Sequence, residues 1–295
     1  VRQAVVEFRP TESRVVLRDG TLRDYDFLVV APGLQVNWGA IPGLKETLGR
    51  NGVCSNYSYD SVNSTWENLQ RLTAGRALFT FPTTPIKCAG APLKAMFLAE
   101  DYLRRTGRRA QCEVVYQCGV GAIFRAPKYA AELVKLAAAR DIHVNYKREL
   151  VAVQGEERTA VFRDTDTGTE TAERFDMLHV APPMGPPEVV RGSELADAAG
   201  WVEVNRETLQ HVRYPNVFSL GDASNLPTSK TAAAIRAQAP VLVQNLLAAA
   251  AGRPQRARYD GYTSCPLVTG YGRLMLAEFD YDLQPKETFP FDQAC

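Results

Sequence analysis

Arg76-Ala77-Leu78-Phe79-Thr80-Phe81, closed by Pro82, is the stretch that decides the fold. A short apolar run ended by a turn former reads as a buried strand. Residues 91–106 follow with helical periodicity and stop at Gly107. The pattern then repeats: a strand over 112–117, a helix over 127–140 and a strand over 143–146. Strands alternating with helices predict an α/β unit built on a parallel, doubly wound sheet. A hairpin of 151–154 with 159–163 and a strand over 177–180 complete that unit.

Outward from this unit the chain carries a second set of elements. Residues 4–8, 15–17 and 26–31 read as strands, with Asp19-Gly20 as a hairpin-type turn between the last two. The third strand is apolar and ends in Pro32-Gly33. Residues 61–72 read as a helix, with Val62, Trp66 and Leu69 on the inward face. Beyond the central unit, residues 216–220 form a strand that runs into Gly221-Asp222, followed by a long apolar helix over about 231–251. Residues 267–269 and 273–279 form a small antiparallel piece.

The chain has 295 residues and is 45% hydrophobic, enough for two cores. Lys plus Arg number 34 against 33 Asp plus Glu, so no basic field recruits nucleic acid. No run is apolar for long enough to span a bilayer. The six cysteines include no Cys-x-x-Cys, and with three scattered histidines no metal site is expected. Both ends are abrupt, and the chain is expected to lack sequence at each.

Two cysteines stand apart by their surroundings. Cys88 lies in Thr84-Pro85-Ile86-Lys87-Cys88-Ala89-Gly90-Ala91-Pro92, just ahead of the 91–106 helix. Pro92 suits a first helical turn, where its missing N–H costs nothing. Cys88 then faces the positive end of the helix, which favours thiolate. Cys265, in Thr263-Ser264-Cys265-Pro266-Leu267, is held extended or in a turn by the following proline. Either could instead be a buried structural cysteine, as Cys54, Cys112 and Cys118 are read to be.

Gly221-Asp222 after a strand is a flavoprotein signal, since an Asp there can accept from a ribityl hydroxyl. Lys230, at the start of the long helix, could stabilise a reduced, anionic flavin. The plain alternatives are an ordinary turn and a solvated charge. Gly119-Val120-Gly121-Ala122-Ile123-Phe124 resembles a dinucleotide loop, but Phe124 replaces the third glycine. No acid ends the following strand, so nicotinamide binding is not expected there. His143, His179 and His211 are read as structural.

Taken with residues 79–92, 177–187, 209–231, 259–271 and 276–293, these motifs resemble the mitochondrial-type sulfide:quinone oxidoreductases, which are two-dinucleotide-binding-domain flavoproteins. The resemblance implies tandem Rossmann-like FAD/NAD(P)-binding domains in three layers, with the first βαβ of the FAD domain missing. It implies a partial FAD domain from residues 1–42 and 187–258, a second Rossmann-like domain over 43–186, and the start of a C-terminal quinone and membrane-interface region over 259–295. Cys88 and Cys265 become the redox pair. Asp222 becomes a ribityl ligand, and Lys230, Thr231, Ala232 and Ala233 the flavin-facing helix start. Val5 becomes a strand residue beside the adenine.

The implied partners are FAD, sulfide, ubiquinone and a small sulfur acceptor such as glutathione or sulfite. The implied location is the inner mitochondrial membrane, or the plasma membrane of a bacterium, reached through C-terminal helices that this chain does not include. The family's opening Gly-x-Gly-x-x-Gly and ribose-binding acid are also absent, so this chain is expected to hold FAD weakly or not at all. A type II NADH:quinone oxidoreductase shares the architecture, but needs a working loop at Gly119 and no thiol pair. A catalytically silent flavin-domain remnant is the other alternative.

Overall fold

The strand Gly75–Phe81 lies at the middle of a five-stranded parallel sheet in a computed structural model that describes residues 2–294. Its neighbours are Met177–His179 on one side and Cys112–Cys118 on the other. Val53–Cys54 and Ile142–Tyr146 form the two edges. Ala77, Leu78 and Phe79 are fully buried, as expected of a parallel strand covered on both faces. The helix Ala91–Arg105 packs on this sheet and buries Leu93, Met96, Phe97 and Leu103. A three-stranded antiparallel sheet of Arg148–Gln154, Thr159–Asp164 and Glu170–Arg174 supplies Leu150, Val153, Ala160 and Phe162 to a core shared with Leu78, Val115 and Leu178.

The chain divides into two compact units. The sheet above belongs to the unit made of Val36–Met184, Cys265–Ala277 and Glu287–Cys295. The other unit comprises Val1–Gln35, Gly185–Ser264 and Glu278–Lys286. It contains an antiparallel sheet of Val5–Arg9, Arg14–Leu17 and Leu22–Asp24. Its parallel element is the pair Leu28–Val30 with Val217–Ser219, which joins segments far apart in the chain. Val30, Val202, Val217, Phe218 and Leu242 centre its core, and the long helix Ala232–Ala250 packs on the parallel pair. The unit boundaries fall at 35/36 and 184/185, where the sequence placed them at 42/43 and 186/187. Residues 259–295 are shared between the two units rather than standing apart.

Three local readings need correction. Asp19-Gly20 joins Arg14–Leu17 to Leu22–Asp24, not to the 26–31 run. Leu22–Asp24 is exposed throughout, so no apolar alternation announces it. The strand Glu170–Arg174 went unseen for the same reason: it is polar and exposed, as an edge strand should be. On the helix Val62–Arg71, Leu69 is buried but Val62 and Trp66 remain 37% and 47% exposed. Trp66 spends its apolar surface edge-on against Tyr102, with centroids 5.0 Å apart. Among the described residues no helix is long and apolar enough to cross a membrane.

Candidate functional site

The loop from Phe81 to Ala91 leaves the carboxyl end of the central parallel strand, where open α/β sheets place their ligands. The structure fixes it from several sides. Thr84 Oγ1 accepts the Met184 N–H at 3.1 Å, and the Met184 sulfur accepts the Lys87 N–H at 3.4 Å. The Tyr57 hydroxyl donates to the Lys87 carbonyl at 3.4 Å. Cys88 follows with φ +51°, a left-handed conformation that a β-carbon makes unfavourable. Its carbonyl accepts the Ala91 N–H at 2.7 Å, which turns the chain into the helix Ala91–Arg105. Gly90 is the cap residue, and Pro92 sits in the first turn.

Cys265 lies fully buried on the strand Thr263–Gly270. Gly90 allows the helix start to approach that strand. A β-carbon on Gly90 would stand 2.4 Å from Leu267 Cδ2 and 3.7 Å from Cys265 Cβ. The structure thus brings together the two cysteines that the sequence singled out, and both are free thiols. They are unequal. A hydrogen bond from Cys265 holds the Cys88 thiol well below its ordinary value of 9.0, with the Lys94 ammonium and the Gly90 amide adding to the effect against burial. The Lys94 Nζ stands 3.6 Å from the Cys88 Sγ. Cys265 is pushed far the other way, because its proton is held by Cys88, because it is buried, and because the Cys88 charge lies beside it. One proton leaves the pair readily and the second does not.

The other described cysteines lack this setting. Burial raises Cys54 to about 11, and its thiol donates to the Leu178 carbonyl at 3.6 Å. Burial likewise raises Cys118 to about 11 and raises Cys112. Sequence reasoning missed two members of the site, Lys94 and Tyr57. The Tyr57 phenol is raised by burial and then by both sulfurs, which places it in their field. Lys94 carried a signal: a cation in the first turns of a helix opposes the dipole there. Tyr57 carried none.

The residues read as cofactor ligands lie in the other unit. Val5 is half-buried and begins the strand Val5–Arg9. Asp222 sits in the turn Gly221–Ala223 that follows Val217–Ser219. Gly221 needs its φ of +70°, and its N–H donates to Gln238 Oε1 at 2.8 Å. Thr231 caps the helix Ala232–Ala250: its Oγ1 accepts the Ala234 N–H at 3.1 Å and pairs with the Thr263 hydroxyl at 2.9 Å. The first bond of the helix runs from the Ile235 N–H to the Thr231 carbonyl at 3.1 Å, so the Ala232 and Ala233 amides have no intrahelical acceptor and are of the kind that can face an electron-rich group. Lys230 stands just before this helix. Its ammonium donates to the carbonyls of Asp222 at 2.8 Å and Ser224 at 3.1 Å, and lies 3.7 Å from the centre of the Trp201 ring. Burial lowers it to about 8.

The Gly119 loop does not fit a dinucleotide. The strand ends at Cys118 and the next helix begins only at Pro127, with Ile123 and Phe124 buried between them. A β-carbon on Gly119 would meet Glu149 Oε2 at 2.2 Å, and that carboxylate already accepts the Thr83 N–H at 2.7 Å. A carboxylate there opposes a pyrophosphate. Among the described residues no group of three or more His, Cys, Asp or Glu side chains could hold a metal ion.

The chain is 49% identical over 296 aligned residues to the mitochondrial sulfide:quinone oxidoreductase of Dictyostelium discoideum, covering all of this chain and 65% of that protein. It is 47% identical to the Mus musculus protein of the same name, covering all of this chain and 66% of that one. The chain is thus similar over its whole length to curated sulfide:quinone oxidoreductases. It therefore spans slightly under two thirds of the length of these curated relatives. The sulfide:quinone oxidoreductase of the bacterium Aquifex aeolicus matches with a TM-score of 0.73 at 16% identity, over 91% of this chain and 65% of that one. That likeness shows the α/β fold alone. No family model matches the chain.

Proposed function

We propose that this chain carries the cysteine centre of a FAD-dependent sulfide:quinone oxidoreductase. The observation that carries the reading is the hydrogen-bonded pair Cys88 and Cys265, in which Cys88 is the described cysteine whose thiol is lowered. In the oxidised pair the two sulfurs are bonded to each other. Hydrosulfide attacks Cys265, the S–S bond breaks, Cys265 keeps the added sulfur as a persulfide, and Cys88 leaves as thiolate. Atoms and charge balance, and Cys88 is the sulfur best suited to hold the negative charge. FAD, when bound, supplies a two-electron acceptor.

The chain's own residues do the rest. The Cys265 thiol and the Gly90 amide favour the charged form of Cys88. Asp222, Thr231, Ala232 and Ala233 are the residues that would hold FAD, with Val5 beside its adenine. Lys230 shapes that site from within, through the carbonyls of Asp222 and Ser224. The final electron acceptor is ubiquinone, and the sulfane sulfur leaves to a small acceptor such as glutathione or sulfite. The location is the inner mitochondrial membrane, in keeping with the names of the relatives. The Gly119 loop argues against NADH as the electron donor.

The test is quinone reduction by FAD-supplemented protein with either sulfide or NADH as the electron donor. Sulfide-dependent reduction with NADH inert is the expected result. NADH-dependent reduction with sulfide inert would reverse the reading.

A further inference from the structure

Lys94 occupies a position that helix electrostatics disfavour. It is the fourth residue of the helix Ala91–Arg105, close to the positive end, and no acidic residue in the first turn offsets it. Among the described residues it forms no ion pair with a carboxylate, although Glu100, Asp101, Arg104 and Arg105 of the same helix are all paired. Its side chain is half-buried and instead brings Nζ to 3.6 Å from the Cys88 sulfur. A cation placed against its own helix dipole and turned toward a thiol gains only if that thiol is charged.

We propose that Lys94 is a positioning residue for the sulfur chemistry: it holds Cys88 as a thiolate and keeps that sulfur turned toward Cys265. The proposal rests on the reading of Cys88 and Cys265 as the sulfide-oxidising pair. The local geometry supports it independently. The Cys88 sulfur meets three groups that favour its anion: the Lys94 ammonium, the Gly90 amide and the Cys265 thiol. Lys94 is the only one of the three that carries a full charge, and the only one that side-chain substitution removes without touching the backbone or the redox pair.

The experiment is the pH dependence of Cys88 alkylation by iodoacetamide in the full chain with reduced thiols, with the modified peptide identified by mass. It is run on the wild type, Lys94→Met and Lys94→Arg. Removing an opposite charge this close moves a titration by about 1 to 3 units. The Lys94→Met midpoint should therefore rise by at least about 1 unit, and its alkylation at neutral pH should slow roughly tenfold or more. Lys94→Arg should keep most of the wild-type profile. A merely structural role would slow alkylation equally at every pH or lower the melting temperature with the midpoint unmoved. Either result, in folded Lys94→Met, overturns the proposal. If Lys94→Met does not fold, Lys94→Gln takes its place with the same two outcomes. Because the assay needs no sulfide, flavin or quinone, a failure of the proposed function leaves its result readable.

Discussion

Gly90→Ala tests whether close packing of the helix start on the Cys265 strand creates the thiol pair. The glycine has φ −82° and ψ −10°, so alanine meets no backbone penalty and any effect comes from space. The added carbon would stand 2.4 Å from Leu267 Cδ2, well inside contact distance, so the buried Leu267 side chain must shift. Overpacking of this kind costs about 1 to 3 kcal/mol. For a chain of this size that lowers the melting temperature by about 2 to 10 °C. Relief by moving Leu267 also moves Cys265, two residues earlier, and loosens its hydrogen bond to Cys88. The Cys88 alkylation midpoint should therefore rise together with the loss of stability. Leu267→Ala in the same chain removes the clashing carbon. The double variant should be less destabilised than the sum of its two single variants, which a double-mutant cycle in thermal and urea unfolding measures. A Gly90→Ala protein with wild-type stability and an unchanged alkylation profile would refute the packing argument.

Two further outcomes follow from the same environments. His179 is buried against Phe79, and burial lowers it to about 4 from 6.5. Its folded form resists protonation, so its stabilising contribution is fully present above pH 6.5 and is lost as pH falls toward 4. The loss is about 3 kcal/mol across that window. Urea unfolding at pH 7 and pH 4.5 should show it, and a folded His179→Leu protein should lose less stability over the same interval. In competitive alkylation near pH 7, Cys88 should react ahead of Cys54, Cys112 and Cys118, whose buried thiols are all raised; modification of Cys54 first would contradict the site description.

Much of the fold was legible because its parallel strands are continuous apolar runs. Gly75–Phe81 and Cys112–Cys118 are both unmistakable between turn formers. Leu22–Asp24 and Glu170–Arg174 were not legible, because partnership alone makes them strands: each is an exposed edge held by a neighbour's backbone. Cys88 could be singled out because the helix that begins at Ala91 frames it locally, although the largest influence on its acidity is the hydrogen bond from the distant Cys265. Cys265 was legible only as a framed cysteine, since burial and a distant thiol set its properties. Tyr57 reaches the site across a loop contact with Lys87 that no spacing rule encodes. Lys230 shows the same limit. Its place before a helix suggested a charge turned toward a ligand, and the two backbone carbonyls and the Trp201 ring that it meets carried no signal in the sequence.

The most direct test of the cysteine-pair account is stopped-flow bleaching of flavin by sulfide in the intact, flavin-containing enzyme carrying single cysteine replacements at these positions. The account predicts that Cys88→Ser and Cys265→Ser each abolish sulfide-driven bleaching, because a hydroxyl neither carries a persulfide nor ionises near neutral pH. Dithionite, which bypasses the thiols, should still bleach both, and Cys54→Ser should behave as the wild type. Near-normal bleaching by sulfide in Cys88→Ser or Cys265→Ser would contradict the account, and loss in Cys54→Ser alone would move the chemistry to a different sulfur.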